Sequence, residues 1–236
     1  MVAEPYDLNP VAGAGVVARE KSFIREVYSW MGGGLAVTGL VAFFMVTHPT
    51  AVIALVKNPI LFFGIIIAQL VLVWQVSASL TRYSAQTAGI MFAVYAALNG
   101  LMFSTIFLAY TASSIASTFF IAGGLFAATA LYGWTTKADL TSVGSIGFMG
   151  VIGLILASVV NMFLHSTVLE WVISYFGVAT FVGLTAYDMG QLKAMNAKGF
   201  QDSESLAKTS IVGALRLYLD FINLFLFLLR IFGRRN

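Results

Sequence analysis

The sequence contains no cysteine, few charged residues and few prolines, and each shortage excludes something. Without cysteine among the 236 residues, disulfide frameworks and thiolate metal sites are excluded. Only 10% of the residues are charged, whereas a soluble domain carries about 25%, so the chain cannot cover a water-facing surface. Apolar residues make up 59% of the chain instead. This composition predicts an integral membrane protein in contact with the lipid bilayer.

Hydropathy predicts seven apolar segments of about twenty residues, the length of a helix that spans a bilayer. The segments are continuous and do not alternate between apolar and polar residues, which favours helices over a closed barrel. We therefore expect an all-α fold, a polytopic membrane helical bundle with seven transmembrane helices. The predicted spans cover residues 28–47, 59–76, 87–110, 115–134, 143–164, 168–194 and 209–231.

The predicted spans divide the chain into a polar amino-terminal tail, residues 1–27, and a transmembrane domain, residues 28–236. The tail lacks the apolar core of a cleavable signal peptide, which favours an uncleaved first span. Seven full spans place eight Lys and Arg residues on the amino-terminal side and four on the other, which predicts a cytoplasmic amino terminus. The terminal "RIFGRRN" opposes this count, so a last segment that re-enters the membrane is the alternative.

Residues that commonly carry chemistry are scarce outside the spans. The two histidines, His48 and His165, fall at predicted span ends and are too few for a zinc site. No serine–histidine pairing and no HExxH motif occurs, so we expect no enzymatic activity and no bound cofactor. The net charge of +3 is spread over loops and tails and predicts no nucleic-acid binding. The polar stretch "NAKGFQDSESLAK" predicts a mobile, solvated loop between the last two spans.

Three charged residues stand out because they lie deep inside predicted spans, where a charge costs about 2.5–3.5 kcal/mol at the helix centre and usually marks a functional path. They are Asp188, Arg216 and Asp220. With a rise of ~1.5 Å per residue, Asp188 lies ~12 Å and Asp220 ~16 Å inside the same membrane side. The last two helices run antiparallel, so the two carboxylates can meet. Arg216 precedes Asp220 by one helical turn and shares its face.

Two interpretations of this charged group are open. It is either a static ion-pair and hydrogen-bond knot or a proton-sensitive switch, since two carboxylates that share one interior site titrate as a unit. Arg82, at the end of the second span, is a further candidate counter-charge. Three amides, Gln69, Asn99 and Asn223, are weaker candidates to line the same interior, because a single amide more often forms an interhelical hydrogen bond.

Glycine repeats at three-residue spacing in "GSIGFMGVIG". The four glycines predict close helix packing, and a hinge or pore lining is the alternative.

Several stretches resemble the Bax inhibitor-1 family of membrane proteins. They are "ALNGLMFS", "YGWTTKADLTSVG", "TAYDMGQ" and "GALRLYLDFINLFLFLLRIFG", which together extend over most of the chain from about residue 88. The resemblance is to a bacterial-type member and implies an inner-membrane location. It implies a bundle in which six helices surround a central, charged seventh.

The same resemblance implies a calcium leak gated by a pair of aspartates, here Asp188 and Asp220, with Arg82 as the latch of the closed state. Calcium would then be the transported ion. Members of the family carry an acidic residue in the second span, where this chain has Gln69 and Gln75. The alternative function is regulation by partner binding, either of a membrane-bound AAA protease or in cell-death and stress suppression, with the amino-terminal tail as the handle.

Overall fold

The computed structural model describes the backbone of residues 10–236 and the side chains of residues 22–236. Within that part, ten helices follow one another along the chain. Their bounds are α1 Pro10–Val46, α2 Pro49–Lys57, α3 Pro59–Ser77, α4 Ser79–Arg82, α5 Ala85–Phe103, α6 Ile106–Ala109, α7 Ala112–Thr135, α8 Thr141–Leu164, α9 Thr167–Lys198 and α10 Ser203–Phe232.

Seven stretches of the described chain are long and apolar enough to cross a membrane, as the hydropathy predicts. They are Ser22–Val46, Pro59–Ser77, Ala85–Ala109, Ala112–Thr135, Thr141–Leu164, Thr167–Lys198 and Ser203–Phe232. The all-α polytopic bundle predicted from the sequence is confirmed. At 30 residues, α10 is about 45 Å long, enough to cross completely. The sequence did not predict the short helix α2, which begins at Pro49 and packs beside α1 and α3.

The last helix, α10, is the centre of the bundle. Its most apolar window is 72% buried, against 11–33% for the other spans. Buried side chains lie on every face of α10, which contacts α9, α1, α7, α5, α4 and α3. The other spans expose large apolar side chains, as lipid contact requires. The chain therefore places its most charged span where protein, and not lipid, surrounds it.

The helices α9 and α10 form a hairpin whose connection is only residues 199–202. Gly199 ends α9 with φ +73°, a conformation that favours glycine. Asp202 starts α10 with a capping box, in which its Oδ1 accepts a hydrogen bond from the Ser205 amide at 2.7 Å. Hydrogen bonds from Ser205 hold the pKa of Asp202 below its ordinary value. The predicted loop over residues 196–208 is wrong, because most of these polar residues extend the two helices beyond the apolar spans.

Glycines set the close approach of α8 to α9. A Cβ atom at Gly144 would collide with the Tyr187 ring, and one at Gly147 would collide with Leu184. A Cβ atom at Gly150 would lie only 3.0 Å from Thr180 Oγ1, whereas one at Gly153 would have no neighbour within 4 Å. The predicted close packing is therefore found at three of the four glycines.

The amino-terminal tail enters the fold as part of α1. The backbone is helical from Pro10, and Phe23 and Val27, near the end of the predicted tail, are fully buried. Residues 1–9 lie outside the described residues, as do the side chains up to residue 21. The division at residue 27 and the use of the tail as a handle for a partner both stay predictions.

Candidate functional site

The packing register of α9 against α10 determines which charged residues face one another. Here the inner side of the bundle is the one that carries residues 199–202, and the outer side carries residues 233–236. Near the inner side, a Cβ atom at Gly213 would collide with Leu192. Farther out, the Phe181 and Phe227 rings stack with centroids 5.9 Å apart. Asp188 lies between these contacts on α9, beside the turn of α10 that runs from Arg216 to Asp220.

Asp188, Arg216 and Asp220 form one charged group between the two helices. The side chains of Asp188 and Asp220 lie close enough to interact directly, and Arg216 acts on both as the nearby positive charge. Asp220 is 4% exposed, whereas Asp188 and Arg216 are half-buried.

The contacts within this charged group are loose. Among residues 22–236, no carboxylate oxygen lies within 4 Å of the Arg216 guanidinium. In the same part of the chain, Oδ2 of Asp220 is buried without a hydrogen-bond partner. A buried polar atom in that state is costly and is often found where a structure changes or binds something. The group is therefore close in space without being locked by ion pairs.

Arg82 lies away from the charged group. Its side chain is exposed at the end of α4, with its guanidinium carbon 5.7 Å from the centre of the Trp74 ring. The structure thus does not bring Arg82 to Asp188 or Asp220, and its role as a latch stays a prediction.

The three candidate amides have different surroundings. Asn99 donates to the Tyr95 carbonyl at 3.3 Å and Asn223 to the Leu219 carbonyl at 2.8 Å, so each bonds to its own helix one turn back. The buried Nε2 of Gln69 has no hydrogen-bond partner among the described residues. Gln69 is therefore the amide whose hydrogen-bonding capacity is left open.

A buried hydroxyl network that sequence reasoning missed joins α10 to α1 and α5. The Tyr218 hydroxyl and Thr38 Oγ1 are 2.6 Å apart, and Thr38 Oγ1 is 2.9 Å from the carbonyl oxygens of Gly34 and Ala96. Because a threonine hydroxyl has one proton, Tyr218 donates to Thr38 and Thr38 donates to one carbonyl. Isolated Thr and Tyr residues in apolar spans give no signal that could have revealed this pairing.

Aromatic rings fill the bundle on the outer side of Asp220. Phe221 packs edge-to-face on Phe119 and Phe126, with ring centroids 5.2 and 5.6 Å apart. One turn farther out, Phe225 contacts the rings of Phe119 and Phe103 at 6.0 and 6.1 Å. These five rings, called here the aromatic layer, separate the charged group from the outer side.

The outer end of α10 is fixed by the last residues of the chain, called here the outer clip (residues 233–236). The Thr111 amide donates to the Arg234 carbonyl at 3.0 Å, and the Asn236 amide donates to the Ala109 carbonyl at 3.0 Å. The Arg234 amide donates to Ser114 Oγ at 2.9 Å. These bonds tie the end of the chain to the turn between α6 and α7.

An ion pair completes the outer clip. The Arg235 guanidinium lies 2.7 Å from the Glu170 carboxylate in the first turn of α9. The "RIFGRRN" segment that opposed the charge count is therefore partly neutralised at the outer side.

No resident metal site is formed by the described residues: within them, no three His, Asp or Glu side chains lie together as a metal would require. Two carboxylates supply only part of the six to eight oxygens that calcium prefers.

Comparison with known proteins gives one consistent result. The family described as "Inhibitor of apoptosis-promoting Bax1" matches residues 20–236. "Inner membrane protein YbhL" of Escherichia coli is 49% identical over 217 residues, covering 92% of this chain and 93% of that protein. Uncharacterized proteins of Borreliella burgdorferi and Rickettsia prowazekii are 40% and 42% identical, covering 92% of this chain and 94% and 91% of their own lengths. With the seven apolar helices, the similarity to YbhL confirms the predicted location, a multi-pass protein of a bacterial inner membrane.

Proposed function

The chain belongs to the Bax inhibitor-1 family of membrane proteins, and from that premise we propose that it is a proton-sensitive leak pathway for cations, calcium in particular. The gate is the charged group of Asp188, Asp220 and Arg216. The observation that carries the proposal is the buried Asp220 carboxylate of the central helix α10. It lies beside the Asp188 carboxylate of α9, while its own Oδ2 has no hydrogen-bond partner among the described residues. Charged residues in this position usually belong to an ion or proton path.

The closed form holds a proton between the two carboxylates, with Arg216 nearby to balance the remaining negative charge. Loss of that proton leaves two negative charges against one positive charge, and their repulsion favours separation of α9 and α10. The freed carboxylate oxygens then become ligands for a passing cation.

The aromatic layer fits this scheme as the closed part of the route. Its rings pack directly outward of Asp220, so a hydrated ion cannot pass while they remain in contact. Opening therefore requires α10 to shift relative to α7, the helix that carries Phe119 and Phe126. A shift of this kind follows from the carboxylate repulsion, because Asp220 and Phe221 are neighbours on α10.

Calcium flux into liposomes loaded with an indicator tests the proposal. The full-length protein is compared with the variants Asp188→Asn and Asp220→Asn. We expect each variant to lower the calcium flux by about tenfold or more, since each removes a charged ligand and gating group. Asp139→Asn is the matched control, because Asp139 is an exposed inner-side carboxylate outside the spans. Equal flux from all four proteins would contradict the proposal.

The pH dependence of the flux separates gating from ligand loss. Flux through the unmodified protein should rise from mildly acidic to mildly alkaline pH, because the shared proton is lost in that direction. The Asp188→Asn and Asp220→Asn variants should show a flatter profile, whereas Asp139→Asn should keep the original slope. A pH slope that survives in both gate variants would assign proton sensing to another group.

A further inference from the structure

A polar cavity of about 210 Å³ lies at the outer end of the bundle, between the start of α9 and the end of α10. Its lining includes two guanidinium groups, Arg230 and Arg235, and one carboxylate, Glu170. Arg235 is engaged by Glu170 at 2.7 Å, whereas Arg230 has no carboxylate within 4 Å among residues 22–236. The cavity thus has an excess of positive charge, which attracts an anion.

The Arg230 side chain is held in place although it is exposed. Its guanidinium carbon lies 5.5 Å from the centre of the Phe227 ring, and that ring stacks in turn on Phe181. This contact favours positions in which the guanidinium lies over the Phe227 ring, at the outer side of the bundle. A guanidinium held in this way can form two parallel hydrogen bonds to a phosphate.

An exposed apolar face of α9, called here the α9 groove, adjoins the cavity and is formed by residues of α9 alone. Trp171 lines both the cavity and the groove, and Tyr175 stacks on it with ring centroids 5.7 Å apart. The groove extends from Val168 to Ala179, which is ~16 Å along the helix. This is close to half of a bilayer hydrocarbon core of ~30 Å, the depth of one leaflet.

We propose that the Arg230–Arg235 cavity and the adjoining α9 groove bind one anionic phospholipid of the outer leaflet. The phosphate lies at the Arg230 guanidinium, and one acyl chain follows the groove past Trp171 and Tyr175. The excess positive charge of the cavity favours an anionic headgroup over a zwitterionic one. The site is separate from the charged group of Asp188 and Asp220, so it does not depend on ion passage.

Native mass spectrometry of the purified full-length protein tests the site, with phosphatidylglycerol and phosphatidylcholine as the probes. We expect retention of one phosphatidylglycerol, and an apparent affinity about tenfold lower for Arg230→Gln. Arg230→Lys should fall between the two, because it keeps the charge and loses the bidentate geometry. Arg234→Gln is the matched control, since Arg234 is exposed at the same end but does not line the cavity. It should change the affinity less than about twofold.

Two further measurements distinguish the site from general attraction. Trp171→Ala should weaken phosphatidylglycerol retention, because Trp171 joins the headgroup cavity to the acyl groove. Glycerol phosphate, which has the headgroup without acyl chains, should not compete at the same concentration. Equal losses for Arg230→Gln and Arg234→Gln would overturn the proposal, and so would equal retention of the two lipids or full competition by glycerol phosphate.

Discussion

The outer end and the middle of the α9–α10 hairpin differ in how their charged side chains are paired. At the outer end, Arg235 and Glu170 are exposed to water yet form a close ion pair, beside the backbone hydrogen bonds of the outer clip. In the interior, Asp188, Arg216 and Asp220 lie in surroundings where pairing would matter far more. Among residues 22–236 no such close ion pair forms there, and Oδ2 of Asp220 has no hydrogen-bond partner.

This difference indicates a fixed end and an adjustable middle. Contacts at the outer clip determine where α10 ends but add little free energy, because water already solvates those charges. Burial of the charged group costs free energy because its members are not closely paired. Any change in their protonation or ligands therefore alters the stability of this part of the bundle. A gate placed there can be moved by one proton, whereas the clip holds the neighbouring helices together.

The largest expected effect on stability comes from a substitution in the charged group. Arg216→Gln removes the one positive charge that acts on both carboxylates. We expect the free energy of unfolding to fall by about 3 kcal/mol, because a buried charge is left uncompensated. Thermal unfolding in detergent measures the change. The double variant Arg216→Gln with Asp188→Asn should recover part of the loss, and simple additivity would show that the groups are not coupled.

A second prediction uses a buried polar pair that is fully satisfied. Tyr218→Phe removes the hydroxyl that donates to Thr38 and leaves the ring contacts unchanged. We expect a loss of about 1–2 kcal/mol in the free energy of unfolding, the usual result for a buried hydrogen bond. The same thermal measurement checks it, with exposed Tyr175→Phe as the control. An unchanged midpoint for Tyr218→Phe would mean that the network does not hold α10 to α1.

A third prediction has the opposite sign. Asp220→Asn removes a buried charge that repels Asp188 and has a poorly satisfied oxygen. We expect stability to rise by about 1 kcal/mol while the flux is impaired, the usual trade-off at a functional site. Thermal midpoint and flux are measured on the same preparation. A fall in stability would indicate the static ion-pair knot instead of a switch.

The smallest expected effect lies at the outer clip. Glu170→Gln removes an ion pair whose side chains are 37% and 65% exposed. We expect a change of about 0.5 kcal/mol or less in the free energy of unfolding, as for most exposed pairs, and less still at high salt. Calcium flux should remain within about twofold of the unmodified protein. A loss as large as that of Arg216→Gln would remove the contrast between the outer end and the middle of the hairpin.

The apolar spans were readable from the sequence because their signal is local and strong. A run of twenty apolar residues that enters lipid must hydrogen-bond all its backbone N–H and C=O groups within itself. A helix is the structure that achieves this within one segment. The central position of α10 came from the family resemblance, and its burial confirms it. The predicted loop before α10 is wrong, because a polar stretch fits helix ends that extend into water as well as it fits a solvated loop. Several of its residues are good helix formers that continue α9 and α10 beyond the apolar spans, namely Ala197, Lys198, Glu204, Leu206, Ala207 and Lys208.

The charged group could be anticipated only in part. Helix rise and antiparallel direction were enough to bring Asp188 and Asp220 to similar depth. Rotation of each helix about its own axis is set by distant contacts such as Gly213 with Leu192, which the sequence does not reveal. The same limit applies to Arg82, whose exposed position over Trp74 depends on the short helix α4. The outer clip and the Thr38–Tyr218 network join residues that are 58 to 180 positions apart, so they leave no local pattern in the sequence.

The four-residue turn at residues 199–202 also bears on how the protein enters the membrane. Helices joined so closely can leave the insertion machinery as one hairpin, so Asp188 meets Arg216 and Asp220 while all three are still near the aqueous channel. Each charge alone would resist partition into lipid by about 2.5–3.5 kcal/mol, whereas the two aspartates and the arginine together carry a single net negative charge. The amino-terminal helices, already in place, then receive a preassembled hairpin. The charged middle of the bundle would thus be sheltered from lipid from the moment of its synthesis.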